Sequence, residues 1–304
     1  MAAVIHIGAN KSASTTLQRS LFSKHSALHY VGEDAAGYQD YVEILKKLMN
    51  ADDIFWDSKL AESFFARQRE LAQGRTFVFS SEDIMMSAIP SLCAKRLLSF
   101  IGEAHVLLVI RNQFAALESF YVSHGAYLRP APPPYFRRYV TLDNWLWFYS
   151  TIVEHGPIAS FDYWRFVQYF DKLFGPGSVK ILMFEDLLEN RSHFCAQLAD
   201  ILQLPFADVI ARLEHAHERK RNTDRLHRYR KLRSQLPVRF LGFDGPVRKG
   251  PISRAISDFL NAGEPARIEL PSKWKQRLSA RYAAGNNALA KKYNLPLREH
   301  GYPL

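Results

Sequence analysis

The sequence predicts an α/β fold, in which a parallel β-sheet is flanked by helices and the second half of the chain is rich in helices. Two observations lead to this prediction. Short apolar runs alternate with helix-patterned segments over the first half of the chain, as they do in proteins built from β-α-β units. The clearest run, HVLLVI at residues 105–110, has no polar alternation, which is typical of a parallel strand buried on both faces.

The individual elements follow from local pattern. Strands are expected at residues 4–8, 29–32, 76–79, 105–110 and 179–183, and the run TFVF at 76–79 is rich in β-forming side chains. Apolar residues at helical spacing predict helices at residues 15–22, 38–49, 60–71, 91–101, 142–153, 161–174, 194–202 and 271–293, and a further helix opens after Arg111. A proline-rich loop is expected at residues 128–135. No repeat, low-complexity segment or linker divides the chain, so one domain is expected over residues 1–304.

The composition is that of a globular protein, with 47% hydrophobic and 23% charged residues among 304. No apolar run approaches the ~20 residues that a membrane span needs, and the N-terminus shows no signal-peptide pattern, so a cytoplasmic location is expected. The two cysteines, Cys93 and Cys195, lie in separate helix-patterned segments with apolar neighbours. Buried thiols are therefore expected rather than a disulfide or a metal site.

The chain is strongly basic, with a formal net charge of +10 and a pI near 9.5. The excess is concentrated between residues 212 and 239, where the sequence includes RKR at 219–221. Such a charge is typical of proteins that bind nucleic acid or anionic membranes. A polyanionic cofactor, or a sulfated or phosphorylated acceptor, would use the same charge. Nucleic-acid binding therefore remains an alternative function.

The first candidate site is the stretch GANKSASTT at residues 8–16, between the first strand and the first helix. Backbone N–H groups of such a loop and of a helix's first turn point towards one spot, where Lys11 adds a full positive charge. An anion is the expected occupant. An ordinary strand–helix junction with Ser14 or Thr15 as N-cap is the alternative. The nucleotide-triphosphatase loop ends in Gly-Lys-Ser/Thr, an order that this stretch lacks, which argues against a kinase or ATPase.

Two further candidate residues also follow predicted strands. Arg111 follows the clearest strand and can direct two N–H donors at a phosphate, with the Ser119 hydroxyl two turns into the next helix. A surface salt bridge for Arg111 and a neutral helical position for Ser119 are the alternatives. Glu82 follows the strand at 76–79. Because the carboxyl ends of parallel strands meet at one edge of the sheet, Lys11, Glu82 and Arg111 are expected to converge.

Together these motifs resemble the sulfotransferases that use 3′-phosphoadenosine 5′-phosphosulfate (PAPS). Residues 11–15, KSAST, match that family's loop Lys-Thr/Ser-Gly-Thr/Ser-Thr, with Ala13 in place of the usual glycine. If this position needs a positive φ, alanine is strained there. The family's 3′-phosphate motif is matched at Arg111, Asn112, Ser119 and Tyr121, whereas Gln113 and Ala116 replace its usual proline and a frequent second arginine.

The resemblance covers most of residues 4–222, including FEDLL at 184–188, where packing and capping are the expected roles. It implies a P-loop-like α/β fold and a reaction that moves a sulfuryl group from PAPS to a hydroxyl or amine, with release of PAP. Residues 8–22 are most similar to bacterial members that act on carbohydrates or other small acceptors; a lipid acceptor also remains open. Among the alternatives, a nucleotide kinase is less favoured, and no metal is implied.

The resemblance also implies roles for particular residues. Lys11 would be catalytic, because it would supply positive charge at the bridging oxygen. Glu82 would be the general base. Its alternative role is to place a favourable negative charge at the N-terminus of the next helix. His25, His29 and His124 are weaker candidates for the base. The residues implied in cofactor binding are Lys11, Ser12, Ala13, Ser14, Thr15 and Thr16 at the 5′-phosphate, and Arg111, Ser119, Lys220 and Arg221 at the 3′-phosphate. For the basic stretch at 219–222, a solvated basic face is the alternative.

Overall fold

The computed structural model describes residues 3–33, 35, 37–127, 138–151, 153, 155–214, 223–235 and 251–304. All five expected strands are present: β1 (Ala3–Gly8), β2 (Leu28–Gly32), β3 (Thr76–Ser80), β4 (His105–Ile110) and β5 (Val179–Met183). They form one sheet in the order β2-β3-β1-β4-β5, and every neighbouring pair is parallel. The first strand therefore lies in the centre, and the carboxyl ends of all five strands share one edge.

Helices occupy the connections between the strands and also follow the last strand, β5. They are α1 (Ser14–Thr16, continuing as a π-helix over Leu17–Phe22), α2 (Tyr38–Asn50), α3 (Ser58–Ala72), α4 (Asp83–Met86), α5 (Pro90–Ile101), α6 (Gln113–Phe120, continuing as a π-helix over Tyr121–Gly125), α7 (Leu142–Thr151), α8 (Pro157–Ser160), α9 (Tyr163–Phe174), α10 (Phe184–Glu189), α11 (Arg191–Leu202), α12 (Phe206–Glu214), α13 (Asp224–Gln235), α14 (Pro251–Asn261) and α15 (Ser272–Tyr293). In the described residues that follow β5 every regular element is a helix, as expected for the second half.

Side-chain caps explain two helix boundaries that the apolar pattern places too late. The Asp57 carboxylate accepts a hydrogen bond from the Lys59 amide (3.0 Å), so α3 begins at Ser58. The Asn190 side chain likewise accepts from the His193 amide (3.4 Å), and α11 begins before the apolar residues that predict it.

The core lies on both faces of the sheet. Successive residues of β4 serve opposite faces: Val106, Leu108 and Ile110 join one apolar cluster, whereas Leu107 and Val109 join another. All five are buried, as the lack of polar alternation predicts. The second cluster contains Leu17, Leu21 and Phe22 of the first helix, so the segment after the loop is anchored by apolar burial.

In the described part of the chain, no helix is long and apolar enough to span a membrane. Cys93 and Cys195 are free and buried, as expected. The proline-rich loop at 128–135 and the RKR stretch at 219–221 lie outside the described residues.

Candidate functional site

The loop after β1 has the backbone shape of an anion-binding nest. Gly8 has φ +122°, and both Lys11 and Ala13 have φ 67°, in the left-handed region. The Ala9 amide donates to the Val109 carbonyl (2.8 Å), which ties the loop to β4. Alternating backbone handedness of this kind turns successive N–H groups towards one concave spot. Ala13 thus adopts the positive φ for which glycine is favoured.

The hydroxyl groups of the loop differ in how they are satisfied. The Ser14 hydroxyl donates to the Ala9 carbonyl (3.1 Å). Ser12 is fully buried, and among the described residues its Oγ finds no hydrogen-bond partner. A buried hydroxyl without a partner is costly. The chain therefore fits a ligand that offers acceptor oxygens at this loop, such as a phosphate or a phosphosulfate.

Glu82 lies beside this loop, just beyond β3. The Ser81 amide donates to the His6 carbonyl (3.0 Å), and the Asn10 side chain donates to the Glu82 carbonyl (3.0 Å). Burial raises the pKa of the Glu82 carboxyl, and the Ser14 hydroxyl and the Lys11 ammonium act in the opposite direction. Although Glu82 precedes α4, its side chain makes no capping hydrogen bond there. Its carboxyl group is close enough to the Lys11 ammonium to interact with it electrostatically.

Arg111 joins the loop to the end of β4. Its Nη1 donates to the Lys11 carbonyl (2.8 Å), and its guanidinium lies 4.6 Å from the ring centroid of Phe184. The three strand ends that carry Lys11, Glu82 and Arg111 are thus brought together, as the parallel sheet predicts.

A pocket of about 360 Å³ opens beside Arg111. This volume is within the usual range for small-molecule sites. Its lining residues are Arg111, Asn112, Phe114, Ala115, Glu118, Phe184, Glu185, Leu188, Lys275 and His300. Ser119, which lies half-buried on α6, is not among them; its carbonyl accepts from the Ser123 hydroxyl (2.9 Å).

The other residues predicted to bind the cofactor or to act as a base are placed as follows. Thr15 and Thr16 lie half-buried at the start of the first helix, and Lys220 and Arg221 lie outside the described residues. The three histidines weighed as bases have other partners: His25 approaches Asp208 (3.6 Å), His29 contacts Gln68 (2.9 Å) and His124 contacts Ser123 (2.7 Å). Among the described residues, no group of three or more His, Cys, Asp or Glu side chains could hold a metal ion.

A buried polar network behind the loop was missed by sequence reasoning. His6 Nδ1 lies 2.7 Å from the Ser80 hydroxyl, and the Gln18 side chain donates to that hydroxyl (3.0 Å). Burial lowers the pKa of His6 to about 4, so the ring is neutral near neutral pH. The available signal was His6 itself, a polar residue in the otherwise apolar run that forms β1.

No protein-family model matches the chain, and no curated protein matches it. Solved structures do. The chain is similar to the sulfotransferase domain of the Synechococcus PCC 7002 olefin synthase, with a TM-score of 0.50 at 12% identity, over 95% of this chain and 94% of that one. The parallel sheet, with helices packed on both of its faces, defines an α/β fold. Within that class, this likeness shows a sulfotransferase fold.

Two other sulfotransferase structures match with lower TM-scores. One, from Alicyclobacillus acidocaldarius, is 16% identical with a TM-score of 0.46, over 70% of this chain and 94% of that one. The other, a mouse sulfotransferase complexed with PAP, is 11% identical with a TM-score of 0.42, over 85% of this chain and 89% of that one.

Proposed function

We propose that this chain is a PAPS-dependent sulfotransferase, which moves a sulfuryl group to a hydroxyl or amine of an acceptor and releases PAP. The observation that carries the proposal is the meeting of Lys11, Glu82 and Arg111 at the carboxyl edge of the sheet, beside the buried Ser12 hydroxyl, which has no hydrogen-bond partner within the described part of the chain. The sulfotransferase fold supports it.

The loop would hold the 5′-phosphosulfate end of the donor. The binding groups would be the backbone N–H groups of the nest, Ala13 included, and the side chains of Ser12, Ser14, Thr15 and Thr16. When bound, PAPS supplies an activated sulfuryl group on a phosphosulfate anhydride. The task of Lys11 would be to hold positive charge where negative charge grows on the departing phosphate oxygen.

Arg111 would hold the 3′-phosphate, with Ser119, Lys220 and Arg221 as further ligands from the resemblance. The Lys11 carbonyl and the Phe184 ring already orient its guanidinium, so little side-chain freedom is left to lose on binding. The pocket beside Arg111 would take the nucleoside, since the Phe184 ring in its wall offers an apolar aromatic face.

Glu82 would be the general base that removes the acceptor's proton. A base must be unprotonated to act, and a carboxylate with a raised pKa is a stronger base than an ordinary one. A carbohydrate or another small molecule remains the proposed acceptor class, with a lipid as a further candidate. The cytoplasm remains the expected compartment, on the sequence alone.

A calorimetric titration tests the proposal. PAP, ATP with magnesium, and a short DNA duplex are each titrated into the protein at near-physiological salt. Micromolar binding of PAP alone is expected. Binding of DNA that weakens steeply with salt, with no binding of PAP, would contradict the proposal and favour nucleic-acid binding. Binding of ATP with magnesium in preference to PAP would favour a kinase.

The Lys11→Ala variant tests the catalytic role once a turnover assay with PAPS exists. We expect a fall in turnover of 10²-fold or more, about the effect of losing one charge-stabilising donor, with PAP binding largely kept. Unchanged turnover would remove Lys11 from the mechanism.

A further inference from the structure

The last residues of this chain fold back onto the junction that carries Arg111. Beyond α15, the His300 carbonyl accepts from the Asn112 side chain (2.9 Å). The Pro303 carbonyl accepts from the side chain of Asn286, within α15 (2.7 Å). Tyr302, between them, is only 4% exposed. Residues 300–303, the return segment, are thus bound to the core by directed hydrogen bonds.

Glu185 connects the return segment to the junction. Its Oε1 accepts from the backbone amide of Asn112, and its Oε2 accepts from the Tyr302 hydroxyl, each at 2.9 Å. Each carboxylate oxygen therefore has a donor. The two donors offset the cost of taking this half-buried carboxylate out of water.

The peptide group between Arg111 and Asn112 is held at both ends. Its carbonyl oxygen accepts from the Tyr163 hydroxyl (2.7 Å), and its N–H donates to Glu185. Tyr163 is 1% exposed, so this hydroxyl is fixed by the core. Because a peptide group is planar, two such bonds set its orientation and with it the direction in which the Arg111 side chain leaves the backbone.

We propose that Glu185 and Tyr302 are positioning residues for Arg111. They hold the 111–112 peptide and thereby aim the guanidinium at the 3′-phosphate; this inference rests on the proposed function. Neither residue needs to touch the phosphate. Their effect should appear in the discrimination between PAP and adenosine 5′-phosphate, which lacks the 3′-phosphate, rather than in binding as a whole.

The test compares the dissociation constants of these two nucleotides by calorimetry. The selectivity ratio is the dissociation constant of adenosine 5′-phosphate divided by that of PAP. We expect this ratio to fall about 5- to 10-fold in Tyr302→Phe, which removes the donor to Glu185. In Arg111→Ala most of this selectivity for PAP should disappear. In the double variant that also carries Tyr302→Phe, the ratio should fall no further. A ratio in Tyr302→Phe equal to that of the parent would overturn the proposal.

Tyr282→Phe is the matched control. Tyr282 is also a buried tyrosine, and its hydroxyl donates to the Ile158 carbonyl (2.8 Å) rather than to the junction. We expect this variant to lose stability and keep the ratio. An equal fall of the ratio in both tyrosine variants would assign the effect to general loosening and overturn the positioning role.

Glu185 provides a second route if Tyr302→Phe does not fold. Glu185→Gln retains an acceptor for the Asn112 amide and an amide group facing Tyr302, so it should keep the ratio, whereas Glu185→Ala should lower it. A retained ratio in Glu185→Ala would contradict the proposal. The parent protein distinguishes failure of the proposed function from failure of the positioning role. If the proposed function is wrong, the parent protein binds PAP no more tightly than adenosine 5′-phosphate, and the inference falls with it.

Discussion

Ala13 has a backbone conformation that glycine adopts more readily. Its φ of 67° brings Cβ close to the backbone, at a cost of roughly 1–2 kcal/mol. Glycine avoids this cost but loses more freedom on folding. We therefore expect Ala13→Gly to raise the free energy of unfolding by up to about 1 kcal/mol, measured by urea denaturation.

Ala284→Gly is the matched control for this prediction. Ala284 is exposed inside α15, where alanine is the best residue, so glycine should lower the free energy of unfolding by about 1 kcal/mol. The two substitutions are chemically identical, and the opposite signs isolate the backbone conformation. A loss of stability at both positions would show that strain at Ala13 is negligible.

Glu82 should govern the acidic side of the pH–rate profile. The rate should fall as pH decreases through the Glu82 pKa, and burial places that fall above the ordinary carboxyl value of 4.5. Glu82→Gln should reduce turnover by about 10²-fold or more and flatten this limb. Asp83→Asn, at the neighbouring carboxylate, should keep the limb but shift it to lower pH, because the Asp83 charge is one of the groups that raise the Glu82 pKa. An unaltered profile in Glu82→Gln would exclude Glu82 as the base.

At the level of elements, one buried cluster links β1, β3 and the first helix. His6 of β1 and Gln18 of the first helix both contact the Ser80 hydroxyl of β3. The ring has a pKa of about 4 in the folded chain, against 6.5 as the ordinary value. The unfolded chain takes up the proton first as pH falls, so the free energy of unfolding should decrease by about 2 kcal/mol between about pH 7 and about pH 5.

His6→Asn tests this prediction by urea denaturation at several pH values. Asparagine keeps an amide near Ser80 and does not titrate, so part of the decrease between these pH values should disappear, although the variant is less stable at every pH. His155→Asn, at an exposed histidine, should retain the full decrease. An undiminished decrease in His6→Asn would contradict the assignment.

Strands and long helices were predictable because continuous apolar runs and helical spacing are local properties. Short helices such as α4 and α8, of four residues each, carry too few positions to show a period. The convergence of Lys11, Glu82 and Arg111 was predictable from parallel geometry alone. The pairing of Gln113 with Asn286 (2.7 Å) was not, since 173 residues separate them and both amides look like surface residues in sequence.

At the scale of the whole molecule, the expectation of one domain over residues 1–304 remains a prediction. The contacts of Asn112 with His300 and of Gln113 with Asn286 tie the C-terminal residues to the start of α6, directly after β4. We therefore expect a single unfolding transition, coincident by calorimetry and by near-ultraviolet circular dichroism. Two separated transitions, with the sheet unfolding apart from α15, would contradict it.

The central place of β1 matters during synthesis. Of the five strands, β1 is synthesised before the others, yet its two neighbours in the sheet begin only at Thr76 and His105. Until β4 emerges, β1 keeps at least one open edge and an uncovered apolar face, the condition under which nascent chains associate wrongly. Fragments that stop between β3 and β4 should therefore aggregate rather than fold, and slow translation before residue 105 should lower the yield of folded protein.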